Sequence, residues 1–331
     1  MKDNILIKLM LLSFVLLLVV ALIAYATSLP DKKSDALETA ASQKIYNILV
    51  LGEDSVAGLC DLTMLVSLNC ASGDVNVMQI PRDTYYNFTD GNYKKINGAP
   101  RALGVSKFAQ ELGESLGIGI DYYLAITTDT VKGMVDALGG VTLNVPQNMD
   151  YDDPDQGLHI HLNAGEHTLD GESAVQFLRY RSGYVTGDLG RADAQKIFMA
   201  AFVKKLGTKK DPILFYKLLK MISDSGKMNI GERDILKVMK DMSGSDKGEA
   251  YYLTAPGEAI RSEKSGAWYY ILSRSCMNEI LCERFGAKND FDLSDKFVDK
   301  TVKRFYDIYE KRCEYKVHTA DDIENDFLHI N

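Results

Sequence analysis

The sequence predicts an α/β fold: a mixed central β-sheet covered by helices on both faces (an α/β/α sandwich), preceded by an N-terminal transmembrane helix. Three observations carry that expectation. Ile45–Leu51, an apolar run ending at Gly52, has the form of a strand buried on both sides, and further short strand-like stretches end at turn residues, as Val141–Val145 does before Pro146. Stretches with helical periodicity alternate with them, the pattern of a sheet held between helix layers. Leu9–Ala26 is 18 residues without a charge, about 27 Å as a helix at 1.5 Å per residue.

Residues 1–8 read as a short cytoplasmic N-terminus and residues 9–26 as the membrane anchor. Lys2, Lys8 and the amino terminus precede the apolar run, while Asp31-Lys32-Lys33-Ser34-Asp35 after it has no net charge. That asymmetry places the N-terminus inside and the remainder outside the cell, as in a single-pass membrane protein. Ala24-Tyr25-Ala26 also has the small-x-small form of a signal-peptide cleavage site. The run exceeds a usual h-region of about 7–15 residues, which favours a retained anchor.

Residues 27–44 form a polar linker. Strands are expected at Ile45–Leu51, Leu62–Leu68 and Val75–Ile80, the last two joined through the turn Ser72-Gly73-Asp74. A helix over Arg101–Leu116 stops at Gly117, a strand follows at Tyr122–Ile126, and a helix over Thr130–Leu138 stops at Gly139-Gly140. The acidic stretch from Pro146 to Gly157 reads as a rim loop. Helices are then expected at 170–178, 190–206, 211–224 and 231–242. Tyr251–Thr254 and Trp268–Tyr270 read as a small strand pair, followed by a helix from Ser273 to Phe285. A last amphipathic helix, Leu293–Arg312, would show Phe297, Val298, Val302, Phe305, Tyr306 and Tyr309 on one face. Residues 45–286 form the main domain and 287–331 a C-terminal helical extension.

With 331 residues, 46% apolar and 25% charged, the chain has material for a sizeable core. Its net charge of −8 argues against a nucleic-acid partner, which would want a basic face. Any cluster of arginines must therefore be a local arrangement. The five cysteines make no framework. Cys60 and Cys70 bracket a strand and Cys276 and Cys282 share a helix, both poor spacings for a bridge. A pair involving Cys313 stays open in an oxidising compartment.

The chemistry-bearing stretch runs from Arg179-Tyr180-Arg181 to Gln195. If the first part is extended, Arg179 and Arg181 point to one side. Asp188 after Gly187 has the form of a helix N-cap, and Arg191 and Gln195 then share a face at i, i+4. Guanidinium forks suit bidentate contacts to phosphate oxygens. Taken alone, the run fits a solvated basic turn equally well. Upstream, Asp54 and Asp61 lie at the ends of consecutive strands, a spacing at which two carboxylates and a phosphate can share a magnesium ion. Arg82 and Asp83 follow a buried strand and Pro81, and Lys95-Ile96-Asn97 lies in the polar loop beyond; these are further candidates for phosphate contacts, with surface ion pairing as the plain alternative. His159 and His161 share a strand face, but no third ligand is evident in the sequence, so a zinc site is not expected.

The ordered strings NILVLGEDS with Asp61-Leu62-Thr63, then IPRDT, KINGA, DYYLAIT, DALGGVTLNVP, LDGESAVQFLRYR and GDLGRADAQ resemble the LytR-CpsA-Psr family of extracellular glycopolymer transferases, over roughly residues 45–286. The resemblance implies an α/β/α fold that takes a glycan linked to a polyprenyl pyrophosphate. It implies transfer of the phospho-glycan to a peptidoglycan hydroxyl, with release of polyprenyl phosphate. It assigns magnesium (or manganese) to Asp54 and Asp61, and pyrophosphate binding to Arg82, Lys95, Asn97, Arg179, Arg181, Arg191 and Gln195. Asp188 and Arg82 take the catalytic roles, Asp188 as base. Val56 and Ala194 stand where the family usually has arginines, and the loop between the two aspartates is short. Those departures leave a second reading open, a weakly active member that binds polyprenyl-pyrophosphate lipids as an envelope sensor. The helices at 101–117 and 190–206 are candidates to line a tunnel for the lipid chain.

Overall fold

The structure is a computed structural model. It describes residues 44–53, 59–89, 91, 93–153, 158–180, 183–184, 194, 197–198, 201–202, 205–206, 208–209, 211–224, 227–242, 248–263, 265–319 and 322. The apolar run Leu9–Ala26, most of the linker, Asp54 and Val56 lie outside the described residues. Among those described, no helix is long and apolar enough to cross a membrane.

The strands are β1 (Ile45–Glu53), β2 (Cys60–Asn69), β3 (Val75–Ile80), β4 (Tyr122–Ile126), β5 (Val141–Val145), β6 (Met149–Asp153), β7 (Leu158–Leu162), β8 (Gly165–Leu169), β9 (Ala250–Thr254), β10 (Gly257–Arg261), β11 (Trp268–Leu272) and β12 (His318–Thr319). The helices are α1 (Ala99–Leu103), α2 (Val105–Leu116), α3 (Thr128–Leu138), α4 (Gly171–Arg179), α5 (Pro212–Asp224), α6 (Glu232–Met242), α7 (Arg274–Arg284) and α8 (Lys303–Glu310). The positions described between Ala194 and Leu206 are helical.

One six-stranded sheet, in the order β12-β9-β3-β2-β1-β4, organises the chain. β2 runs antiparallel to β1 and β3, whereas β4 is parallel to β1 and β9 parallel to β3, so the sheet is mixed. Alternation along its strands feeds two separate cores. Tyr46, Ile48 and Val50, with Met64 and Val66, face one side, where they meet Val131 and Met134 of α3, Phe177 of α4, Phe198 and Phe202, and Leu218 of α5. Leu49, Leu51, Leu65 and Met78 face the other, against Phe108 and Leu112 of α2, Ile280 of α7 and Phe305 and Tyr309 of α8. Helices therefore cover both faces, as the continuous apolar runs require.

Buried polar side chains on the second face have a structural use. The Ser67 hydroxyl donates to the Arg284 carbonyl (2.7 Å), the Asn47 amide donates to that of Phe285 (3.0 Å), and the Arg284 guanidinium donates to Asn76 (2.9 Å). They satisfy the last turn of α7, whose carbonyls lack helical partners. The exposed side of β4 is covered by Lys227–Asn229: the Ala125 amide donates to the Lys227 carbonyl (2.8 Å) and that of Asn229 to Tyr123 (3.2 Å).

Five local expectations are corrected. The helix expected over Arg101–Leu116 is two helices, broken at Gly104, whose φ of 81° no helix accommodates. The acidic rim loop is instead the hairpin β6–β7; Met149 and Tyr151 point inward between Asp150 and Asp152, so the carboxylates disguised a period-two strand. Tyr251–Thr254 and Trp268–Tyr270 do not pair: β9 completes the main sheet beside β3, and β11 pairs with β10. The last helix is confined to Lys303–Glu310, because Val298 and Val302 are extended and Asp295–Phe297 is a short 3-10 turn capped by Ser294; Tyr306 points to solvent. Arg179 ends α4, with Tyr180 beyond it extended (φ −65°, ψ 136°), so Arg179 is on a helix and not on a strand; Arg181 lies outside the described residues. Of the cysteines, Cys313 Sγ stands 3.9 Å from Cys276 Sγ, the one approach between thiols among the described residues.

Candidate active site

β1, β3, β4 and β9 share one direction, so their carboxyl ends and the start of β2 lie along one edge of the sheet. In open α/β sheets ligands collect at that edge, where the chain departs into loops.

Directly beyond β3, Pro81 ends the ladder and the Thr84 amide donates to its carbonyl (2.9 Å), which sets Arg82 and Asp83 on the tip of a tight turn. The later part of the loop folds back on this turn. The Ile96 amide donates to the Thr84 carbonyl (2.9 Å) and the Asn97 amide to that of Arg82 (3.4 Å). Lys95 is thereby brought to Asp83: its Nζ donates to Oδ1 at 2.8 Å, and Arg82 Nε lies 3.9 Å from the same oxygen. The Lys95 ammonium also stands 5.9 Å from the centre of the Tyr269 ring. Side-chain exposures of 23% for Arg82, 31% for Asp83 and 21% for Lys95 leave each reachable by a ligand yet restricted in rotamer. The Tyr93 hydroxyl donates to Asn97 Oδ1 (2.7 Å). Gly98 allows that bond, since a Cβ there would meet Tyr93 Cε1 at 2.6 Å. Burial pushes the Tyr85 and Tyr86 hydroxyls up to about 12, so these phenols stay protonated at neutral pH.

Arg179 arrives from the other core. Asp170 caps α4 by accepting from the Ser173 amide (2.8 Å), and the Gly171 amide donates to Asp136 Oδ1 (2.7 Å) near the carboxyl end of α3. Lys132 of α3 pairs with Glu172 of α4. α4 packs against α3, the helix that follows β4 in the chain. Arg179 is the last residue of α4, and its Nε is buried.

Asp61 is the second residue of β2, next to Cys60, which pairs with Glu53 at the end of β1. Asp61 brings a carboxylate to the start of β2, and carboxylate oxygens are donors that magnesium takes. Arg181, Asp188, Arg191 and Gln195, like Asp54, lie outside the described residues. The structure thus brings Arg82, Lys95 and Asn97 together, with Asp61 at the same edge of the sheet and Arg179 at the end of α4.

Two further readings are corrected. Ala194 is fully buried in the first core, where it is a packing residue rather than a vacant site position. The proposed pair of tunnel helices is separated by the sheet: Phe108, Leu112 and Leu116 belong to the second core, Phe198, Phe202 and Leu206 to the first. They cannot line one tunnel. Sequence reasoning paired Asp83 with Arg82 but missed its bond to Lys95, the support from Tyr93 and Tyr269, and the pairing of Lys227 with Glu53 at the end of β1. Asp83 was visible inside the IPRDT string; Lys227 comes from 174 residues away with no motif around it.

The chain was compared with known proteins. The LytR_cpsA_psr family model matches residues 19–284. A polyisoprenyl-teichoic acid–peptidoglycan teichoic acid transferase, TagU, of Oceanobacillus iheyensis is 26% identical over 267 residues, covering 78% of this chain and 80% of its own. Among solved structures, protein gbs0355 of Streptococcus agalactiae superposes with a TM-score of 0.65 at 20% identity, covering 82% of this chain and 97% of its own. Bacillus subtilis TagV does so with a TM-score of 0.56 at 25% identity, over 72% and 95%. The order of motifs, the sheet they fold into and the extent of these matches agree: the chain belongs to the LytR_cpsA_psr family.

Proposed function

We propose that this protein is a membrane-anchored extracellular transferase that moves a phospho-glycan from a polyprenyl-pyrophosphate carrier to a peptidoglycan hydroxyl. The observation that carries the reading is the half-buried cluster of Arg82, Asp83, Lys95 and Asn97 at the carboxyl edge of the sheet. It joins a family membership and relatives whose names state teichoic acid transfer to peptidoglycan.

In this reading Arg82, Lys95 and Arg179 meet the oxygens of the pyrophosphate, with Arg181, Arg191, Gln195 and Asn97 completing the contacts. The acceptor hydroxyl oxygen attacks the phosphorus that carries the glycan. The bond from that phosphorus to the bridging oxygen breaks, and polyprenyl phosphate departs with the electron pair. Asp188 accepts the hydroxyl proton. Such a reaction needs positioning and charge stabilisation above all, and a cationic cluster with limited rotamer freedom supplies both. Asp54 and Asp61 would hold magnesium or manganese, which when bound offsets pyrophosphate charge. Residues 9–26 hold the domain, 45–286, on the outer face of the membrane.

The burial of Ala194 removes one of the two substitutions that favoured a sensor without turnover. The test is direct. Full-length protein in detergent, given a polyprenyl-pyrophosphate-linked oligosaccharide and a peptidoglycan fragment, is expected to release polyprenyl phosphate and glycosylate the fragment. Arg82→Ala should lower that rate roughly 10²–10³-fold, as for loss of one aligned donor. Binding of the lipid with no product under any metal condition would sink the transferase reading.

A further inference from the structure

The hairpin β6–β7 carries a cluster outside the site above. Its register sets Asp152 opposite His159 and Asp150 opposite His161, with Tyr151 opposite Ile160. Met149 and Ile160 point into the core, so all four titratable side chains stand on the outer face of the hairpin. Asp152 Oδ1 is 2.6 Å from His159 Nδ1 and 3.3 Å from His161 Nε2. One ligand atom from each of these three residues lies within 4.8 Å of the others. In a tetrahedral zinc site with bonds of about 2.0–2.1 Å, ligand atoms are separated by roughly 3.3 Å. Small rotations of exposed side chains bridge that difference.

The fourth residue supplies an independent observation. Asp150 Oδ1 is 2.7 Å from His161 Nδ1, so the carboxylate holds one ring nitrogen while the other faces Asp152. A carboxylate behind a histidine, fixing its tautomer and ring orientation, is the usual support of a metal-bound imidazole. The third ligand missing from the sequence pattern thus comes from the facing strand. Two imidazoles and a carboxylate suit a first-row transition ion such as zinc, whereas magnesium and calcium prefer oxygen ligands alone.

We propose that Asp152, His159 and His161 form a surface site for a divalent transition-metal ion of the zinc class, with Asp150 as the positioning carboxylate and a fourth coordination position open to solvent. The ion would clamp β6 to β7 on the outer side of a hairpin whose inner side packs against α4, the helix that ends in Arg179. The site is separate from Asp54 and Asp61 in sequence and in the type of ion it takes.

The test is zinc titration of metal-free full-length protein in detergent against a fluorescent zinc chelator. One ion per chain is expected, and excess magnesium should leave it in place. The double variant His159→Ala/His161→Ala should lose at least 100-fold in affinity, Asp150→Asn about 10–100-fold as for a residue behind the ligand, and His318→Ala nothing. Zinc should raise the Tm of the wild type and leave that of the double variant unchanged. Should the double variant fail to fold, Asp152→Asn carries the same expectation for affinity. Zinc bound equally well by wild type and ligand variants would overturn the assignment.

Discussion

Replacing Lys95 with alanine separates a substrate contact from a structural one. In the free protein the ammonium donates to Asp83 Oδ1 at 2.8 Å and is 21% exposed, in a pair with a 31% exposed partner. A pair this open to solvent contributes about 1 kcal/mol at most. Arg82, 3.9 Å from the same oxygen, remains to balance Asp83 when the lysine is gone. The Tm is therefore expected to fall by no more than about 2–4 °C. A hydrogen bond from the ammonium to a pyrophosphate oxygen is worth about 1.5–3 kcal/mol, which corresponds to a roughly ten- to hundred-fold loss in kcat/KM. The assay is release of polyprenyl phosphate, with thermal unfolding recorded on the same preparations. Lys95→Arg should recover part of the rate. Lys311→Ala, which breaks an equally short pair with Glu258 (2.6 Å) far from the site in sequence, should leave the rate unchanged. Full turnover in Lys95→Ala combined with a large drop in Tm would show that the lysine serves the loop and not the substrate.

Three other perturbations test the framework around the cluster. Asp170→Ala removes the cap of α4 and is expected to cost about 1 kcal/mol in urea unfolding at pH 7. The Ser173 backbone amide holds the Asp170 carboxyl below its usual range. That stabilisation is complete above the unfolded pKa near ~3.9 and fades as pH falls through the folded value, so the difference should shrink at about pH 3. Gly98→Ala places a Cβ 2.6 Å from Tyr93 Cε1; because the ring is exposed and can swing out, turnover should fall to the level of Tyr93→Phe while stability stays within about 0.5 kcal/mol. Ala194→Arg should abolish or strongly reduce folded protein, measured by thermal unfolding, because a charge buried without a partner costs several kcal/mol; a folded and more active variant would show that the position opens to the site.

β1 was legible because it is buried on both faces and written as a nearly continuous apolar run, Ile45–Leu51, and β3 because it follows the turn Ser72-Gly73-Asp74 at short spacing. Helices α3 and α4 were legible from Gly139 and from the cap at Asp170. What escaped were pairings made across long separations and patterns masked by charge. Tyr251–Thr254 looked like one arm of a hairpin because nothing local announces a parallel partner at Val75–Gln79. The β6–β7 hairpin was hidden because its outward positions are aspartates, residues that in isolation favour turns. In the site, Arg82, Asp83, Lys95 and Asn97 were readable from their strings, while the bond from Lys95 to Asp83 and the support of Tyr93 and Tyr269 depended on how the loop closes.

The two cores explain why the site lies at the edge of the sheet and not within either layer. The turn bearing Arg82 and Asp83 rests on the second core through Tyr85, Tyr86 and Ile96, while Arg179 ends a helix whose Phe177 and Leu178 belong to the first. β1 and β2 contribute to both cores through alternate residues, and their shared end is where Asp61 begins. Arg82 and Lys95 share Asp83 on the side of the second core, while Arg179 ends a helix packed into the first. In the proposed function a pyrophosphate at the edge takes contacts from both, so its binding would join contributions that packing alone leaves separate. Loosening either core should therefore weaken pyrophosphate binding before it unfolds the chain. A cavity under Arg179, as in Phe177→Leu, should act on that affinity in the same direction as a cavity under Lys95, as in Ile96→Val.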